Sequence, residues 1–113
     1  MEINRYEGNG RMSKAVVYNG VMYLCGQVGE GDDIFAQTQA VLDKIEALLV
    51  KYGSGKDKLL SALIHLKDIS MWDDMNTVWD KWIIPGKEPA RTTVQGALAG
   101  DELLVEITVV AAV

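Results

Sequence analysis

The chain has 113 residues and a mass of 12.4 kDa, enough for one domain with a core that needs no disulfide or structural metal, so 1–113 is expected to fold as a single unit. One cysteine, Cys25, and one histidine, His65, leave no disulfide and no zinc cluster, which predicts no cofactor and no metal and fits a reducing, cytoplasmic setting. Eleven basic against sixteen acidic side chains, net −5, speak against a nucleic-acid partner, and the absence of any apolar run near ~18 residues speaks against a membrane one.

In chain order, KAVVY and VMYLCGQV flank Asn19-Gly20, the dipeptide that best accepts positive φ at both centres of a type I′ turn, and predict a β-hairpin. A GEGDD loop then offers Asp33 as a helix cap. Ile34, Thr38, Val41, Leu42, Ile45, Leu48, Leu49 and Tyr52 recur at three- and four-residue steps, which predicts an amphipathic helix ending at Gly53. LLSALIHLK, 59 to 67, reads as a buried strand with Leu60, Ala62, Ile64 and Leu66 on one face. Ser70 and Asp73 resemble a capping box before a second helix over roughly 71 to 83, stopped by Pro85-Gly86. The remainder holds two strand-like runs around Gly100-Asp101, read as a hairpin with a type II′ turn.

The order ββαβαββ predicts an α+β fold, with one mixed sheet carrying both helices on one face. The other face, apolar and uncovered, is expected to meet further copies of the chain, with sites between chains. If the last hairpin turns at Gly100-Asp101, Arg91, Thr93, Gln95, Glu106 and Thr108 share one face, while Thr92, Val94, Val105, Ile107 and Val109 share the other. Arg91 then offers a planar fork to a small carboxylate. Glu106 beside it would orient or deprotonate a water, or simply neutralise the arginine. Cys25 and His65 read most simply as packed strand residues, and Trp72, Trp79 and Trp82 as core or interface. Gly26 marks either a bulge or a close approach to the backbone.

The runs RMSKAVV, YLCGQV, DKIEALL, MNTVWD, PARTTV and VEITVVAAV, in that order, resemble the Rid family (YjgF, reactive intermediate deaminases) along essentially the whole chain. The resemblance implies a chorismate-mutase-like fold, a homotrimer whose sheets form a central barrel, and clefts between subunits. It implies hydrolysis of reactive imines and enamines such as 2-aminoacrylate to 2-ketoacids and ammonia, without a cofactor. Arg91 would hold the substrate carboxylate and Glu106 would position water, with Cys25, Gly26, Thr93, Met12 and Arg11 lining the substrate site. The sequence departs from the family at three of these places. Met12 stands where well-studied deaminases carry tyrosine, Cys25 where serine is usual, and Thr93 where cysteine is frequent. The lost phenol motivates an alternative, a non-catalytic trimeric module that binds 2-ketoacids or related carboxylates. A chorismate-mutase-like activity is suggested only by the implied fold.

Overall fold

A computed structural model describes residues 1–113 as a six-stranded mixed sheet with two helices against it. The Asn19-Gly20 turn has φ of 54° and 76° at its two residues and joins β2 (Ala15–Tyr18) to β3 (Val21–Leu24). Helix α1 (Ile34–Lys51) begins at Asp33, whose carboxylate accepts from the Ala36 N–H at 2.8 Å, and Gly53 takes positive φ just beyond its end. Its stripe of Ile34, Thr38, Val41, Leu42, Ile45 and Leu49 is buried. Strand β4 (Leu59–Leu66) and helix α2 (Trp72–Trp82) follow, then β5 (Ala90–Gln95) and β6 (Val105–Ala112).

Four expectations are corrected. An additional strand, β1 (Asn4–Tyr6), pairs with β2 at the sheet edge. It is too short and too exposed to leave an alternating pattern. In β4, a register irregularity between Leu59 and Ser61 buries Leu59 and turns Leu60 out, so the inward set is Leu59, Ala62, Ile64 and Leu66. Ahead of α2, Asp68 caps a short 3₁₀ turn by accepting from the Ser70 N–H at 2.9 Å, whereas α2 itself has no side-chain cap.

The fourth correction matters most. β5 and β6 are not a hairpin: the strand order is β1-β2-β3-β6-β4-β5, with β4 between them. β4, α2 and β5 make a parallel crossover unit, which needs a helix-length connection, and β5 lies parallel to β4 while β6 runs antiparallel to it. Tight-turn signals at Gly100-Asp101 belong instead to a loop in which the Leu103 N–H bonds the Gly100 carbonyl.

Both helices pack on each other over one face of the sheet, and Met22, Ala62, Ile64, Leu66, Val105, Ile107 and Val109 face them. The register places Val16, Tyr18, Tyr23, Leu63, Val94 and Val110 together on the other face, which nothing covers within the chain. Tyr18 and Tyr23 are 42 % and 48 % exposed, so the expected bare apolar face is present. No helix is long and apolar enough to cross a membrane.

Candidate functional site

Glu106 projects from the bare face of β6, because its neighbours Val105 and Ile107 point into the core. The chain leaving β3 runs beside it: Gln27 and Ile107 exchange two backbone hydrogen bonds of 2.9 and 3.1 Å. A Cβ built on Gly26 would stand 2.9 Å from Glu106 Cδ and 3.0 Å from Thr108 Oγ1. Gly26 is therefore a glycine of close approach, and what approaches its backbone in this chain is the Glu106 carboxylate.

Cys25, Gly26, Met12, Asn9, Lys14 and Lys44 line a cavity of about 280 Å³. Cys25 is half-buried at this wall rather than packed away, and its Sγ accepts from Gln27 Nε2 at 3.3 Å. Met12 is 54 % exposed and is held by a turn in which Asn9 Oδ1 accepts from the N–H groups of Arg11 and Met12, each at 2.9 Å. Arg11 is exposed and its side chain does not line the cavity.

Arg91 lies elsewhere. It pairs in register with Ala62 on β4, whose side chain is in the core, so Arg91 points to the helix-covered face. There Asn76 Oδ1 accepts from Arg91 Nη1 at 2.7 Å, and the guanidinium sits 5.2 Å from the Trp79 ring centroid. Partial burial lowers the arginine pKa and the charge of Asp80 opposes that, so the group stays a cation with one edge engaged by α2. Thr93 shares its face, and Thr93 Oγ1 is buried without a hydrogen-bond partner.

The expected shared face of Arg91 and Glu106 is thus corrected. Alternation within each strand is right, but the strands are not partners, and pairing through β4 inverts their relative parity. Two strand spacings and three residues along β4 separate them, roughly 14 Å between Cα positions, on opposite sides of the sheet. The structure brings Met12, Cys25, Gly26 and Glu106 to one end of the sheet and Arg91 with Thr93 to the other. His65 lies directly opposite Glu106 across β4 and β6, and its Nδ1 is buried with no hydrogen-bond partner.

Four functional-looking residues escaped the sequence reading: Asn76, which orients Arg91, and Gln27, Lys14 and Lys44 around the Gly26 cavity. Asn76 lies inside the MNTVWD run, which was its only signal. No group of three or more His, Cys, Asp and Glu side chains is placed to hold a metal.

The profile of the family described as endoribonuclease L-PSP matches residues 2–113. The chain belongs to the YjgF (Rid, L-PSP) family. It is similar to the RutC family protein YoaB of Escherichia coli K12, 40 % identical over 114 residues and spanning 100 % of both chains. A RutC family protein of Haemophilus ducreyi is 35 % identical, with 98 % of this chain and 97 % of the relative covered. Among solved structures, the YjgF-family protein NMB1025 of Neisseria meningitidis superposes with a TM-score of 0.97 at 39 % identity, covering 99 % of this chain and 95 % of that one. Rv2704 of Mycobacterium tuberculosis, of the YjgF/YER057c/UK114 family, gives 0.90 at 28 % identity over 99 % and 100 % of the two chains. The mixed sheet with two helices is the YjgF-family fold.

Proposed function

We propose that this YjgF-family protein hydrolyses small imine and enamine acids of the 2-aminoacrylate type to 2-ketoacid and ammonia, in clefts between the subunits of a cytoplasmic homotrimer. The observation that carries the reading is the separation of Arg91 from Glu106 within one chain, together with the bare apolar sheet face. Each half-site is prepared without the other: α2 aims Arg91, and Gly26 makes room for Glu106. A neighbouring copy docked on the bare face can bring the Arg91 of one chain to the Glu106 of the next.

In that cleft Arg91 takes the substrate carboxylate through the part of its fork that Asn76 leaves free. An enamine first accepts a proton at its β-carbon and becomes the iminium, whose carbon is electrophilic. Glu106 takes a proton from water as the oxygen bonds to that carbon, giving a carbinolamine. The same proton then passes to nitrogen; as the C–N bond breaks towards nitrogen the carbinolamine hydroxyl gives its proton to Glu106, which releases it to the departing ammonia, leaving 2-ketoacid and ammonium. Placement supplies most of the rate, because the iminium needs little further activation.

Met12, in place of the family's tyrosine, favours a second reading in which the cleft binds 2-ketoacids and turns nothing over. An assay that generates 2-aminoacrylate in situ separates the two. Hydrolysis should exceed the buffer rate with the parent protein and fall to it with Arg91→Ala and Glu106→Gln. Ketoacid binding by calorimetry with no acceleration of imine loss would establish the binding module instead.

A further inference from the structure

Two adjoining cavities, of about 300 and 280 Å³, form a continuous trough beside α1. They share Glu7, Lys14, Gln27 and Lys44; one reaches Cys25 and Gly26, and the other ends at Lys51. Three ammonium groups therefore face a single carboxylate, in a chain whose net charge is −5. That carboxylate is already engaged: Glu7 Oε2 accepts from the Tyr52 phenol and from Lys51 Nζ at 3.2 Å. Lys14 Nζ stands 3.8 Å from the other Glu7 oxygen, beyond hydrogen-bond distance, and Lys44 Nζ donates only to the Val28 carbonyl, at 2.7 Å. Each lysine keeps N–H donors to spare. Glu30 and Glu102 line a separate cavity that also touches Lys44, and the Glu106 carboxylate lies against Gly26.

Gly26, which lines one end of the trough, is also the residue whose backbone the Glu106 carboxylate approaches. Val28, whose carbonyl holds the Lys44 ammonium, is two residues beyond Gly26, roughly 7 Å along an extended chain from it. The carbon chain of a short diacid spans such a gap. We infer that Lys14 and Lys44 hold a distal carboxylate of the substrate, so that this protein selects 2-imino dicarboxylic acids, and their 2-oxo products, over monocarboxylic ones. The inference rests on the function proposed above, because Arg91 of the adjoining copy must take the first carboxylate. A monoacid such as 2-aminoacrylate fills only the Arg91 end and leaves two cations facing water.

Calorimetric titration of the assembled protein with 2-oxoglutarate and with 2-oxobutyrate tests it. The diacid should bind about tenfold tighter or more, the value of one charge-assisted hydrogen bond. Raising the salt should shrink that ratio. Lys14→Gln and Lys44→Gln should each lower the ratio, and the double variant should bring it near one, whereas Lys87→Gln, a remote charge change, should preserve it. If 2-oxobutyrate binds the parent as tightly as 2-oxoglutarate, or if the preference survives in a folded double variant, the inference is overturned and the deaminase reading stands. If neither ketoacid binds the parent, that reading falls and the inference with it.

Discussion

The carboxylate of Glu106 fills the space that a side chain on Gly26 would need, with Cδ 2.9 Å from the position of an added Cβ. The atoms such a Cβ would meet are the ends of the Glu106 and Thr108 side chains, which can swing away into the open face. Gly26→Ala should therefore cost about 1 kcal/mol of stability or less. Imine hydrolysis should nonetheless fall on the order of 100-fold, because the displaced carboxylate no longer places the water. Thermal melting together with the coupled assay checks both halves. A variant that melts like the parent and keeps full activity would remove Glu106 from its proposed role.

Asn76 predicts a graded series at Arg91. Asn76→Ala removes the 2.7 Å bond that fixes one edge of the guanidinium but leaves the charge, so ketoacid affinity should weaken by a few-fold and turnover by more. Arg91→Lys keeps charge but loses the fork, a change worth up to about 3 kcal/mol for a charged hydrogen bond. Ketoacid titrations of the two variants should rank them in that order. If Arg91→Lys binds like the parent, a carboxylate clamp at Arg91 is excluded.

Gln37 is 3 % exposed and staples α1 to two loops: its Nε2 donates to the Gly31 and Glu102 carbonyls at 3.1 and 2.9 Å, and its Oε1 accepts from the Leu104 N–H at 2.8 Å. Leu104 directly precedes β6, so the staple also fixes where the Glu106 strand begins. Gln37→Ala should destabilise by about 2–4 kcal/mol, since it strands buried backbone groups. Gln39→Ala, which removes only an exposed bond to Asp43, should stay within about 0.5 kcal/mol. Denaturant midpoints distinguish the two; equal shifts would show that the staple contributes nothing beyond a surface contact.

The elements that local pattern alone determines were legible in the sequence. Asn19-Gly20 gave the β2–β3 hairpin because its turn type depends on two residues, and the α1 stripe gave its buried face because helical spacing does not depend on the partner. Strand partnership is different. The runs that became β5 and β6 looked adjacent because they are adjacent in sequence, and only tertiary packing inserts β4 between them. One wrong neighbour reversed the relative facing of Arg91 and Glu106 while leaving each strand's own alternation correct. Gln37, Asn76 and Lys44 act through contacts that join distant segments, which no spacing rule exposes. The resemblance supplied Arg91 and Glu106 as a pair, and the structure places them on opposite faces of one sheet.

Tyr52 and Glu7 tie the end of α1 to the end of β1, with Tyr6 stacked on Tyr52 at 4.2 Å between ring centroids. The phenol's hydrogen bond, then that of Lys51, holds the Glu7 carboxyl below the usual glutamate range, and the same bond to Glu7 raises Tyr52. The signs give a window. A depressed carboxylate contributes stability above its ordinary pKa and loses it as pH falls through the lower folded value, while a raised phenol contributes below its ordinary pKa and loses it as pH rises through the higher one. Exchange protection at β1 should therefore decline at both ends. Ultraviolet titration of the tyrosines should show one late-titrating phenol that moves to lower pH in Glu7→Gln. Superimposable titrations would mean that the pair is not formed in solution.

The separation of Arg91 and Glu106 makes the shared site testable without a structure of the assembly. If each site takes Arg91 from one chain and Glu106 from the next, Arg91→Ala and Glu106→Gln homotrimers are both inactive, yet each variant retains the half that the other lacks. Unfolding the two together and refolding them at equal concentration should give mixed trimers in which about one quarter of the clefts unite an intact Arg91 with an intact Glu106. Activity should recover to about that fraction of the parent. A mixture assembled only after each variant has separately formed its trimer should remain inactive until subunits exchange. The alternative, a site built within one chain, would need Arg91 to cross the sheet to the face that carries Glu106, and it predicts no recovery at any mixing ratio. Persistent inactivity in mixed trimers, with light scattering showing that assembly is intact, would locate the chemistry inside a single chain and remove the bare sheet face from the mechanism.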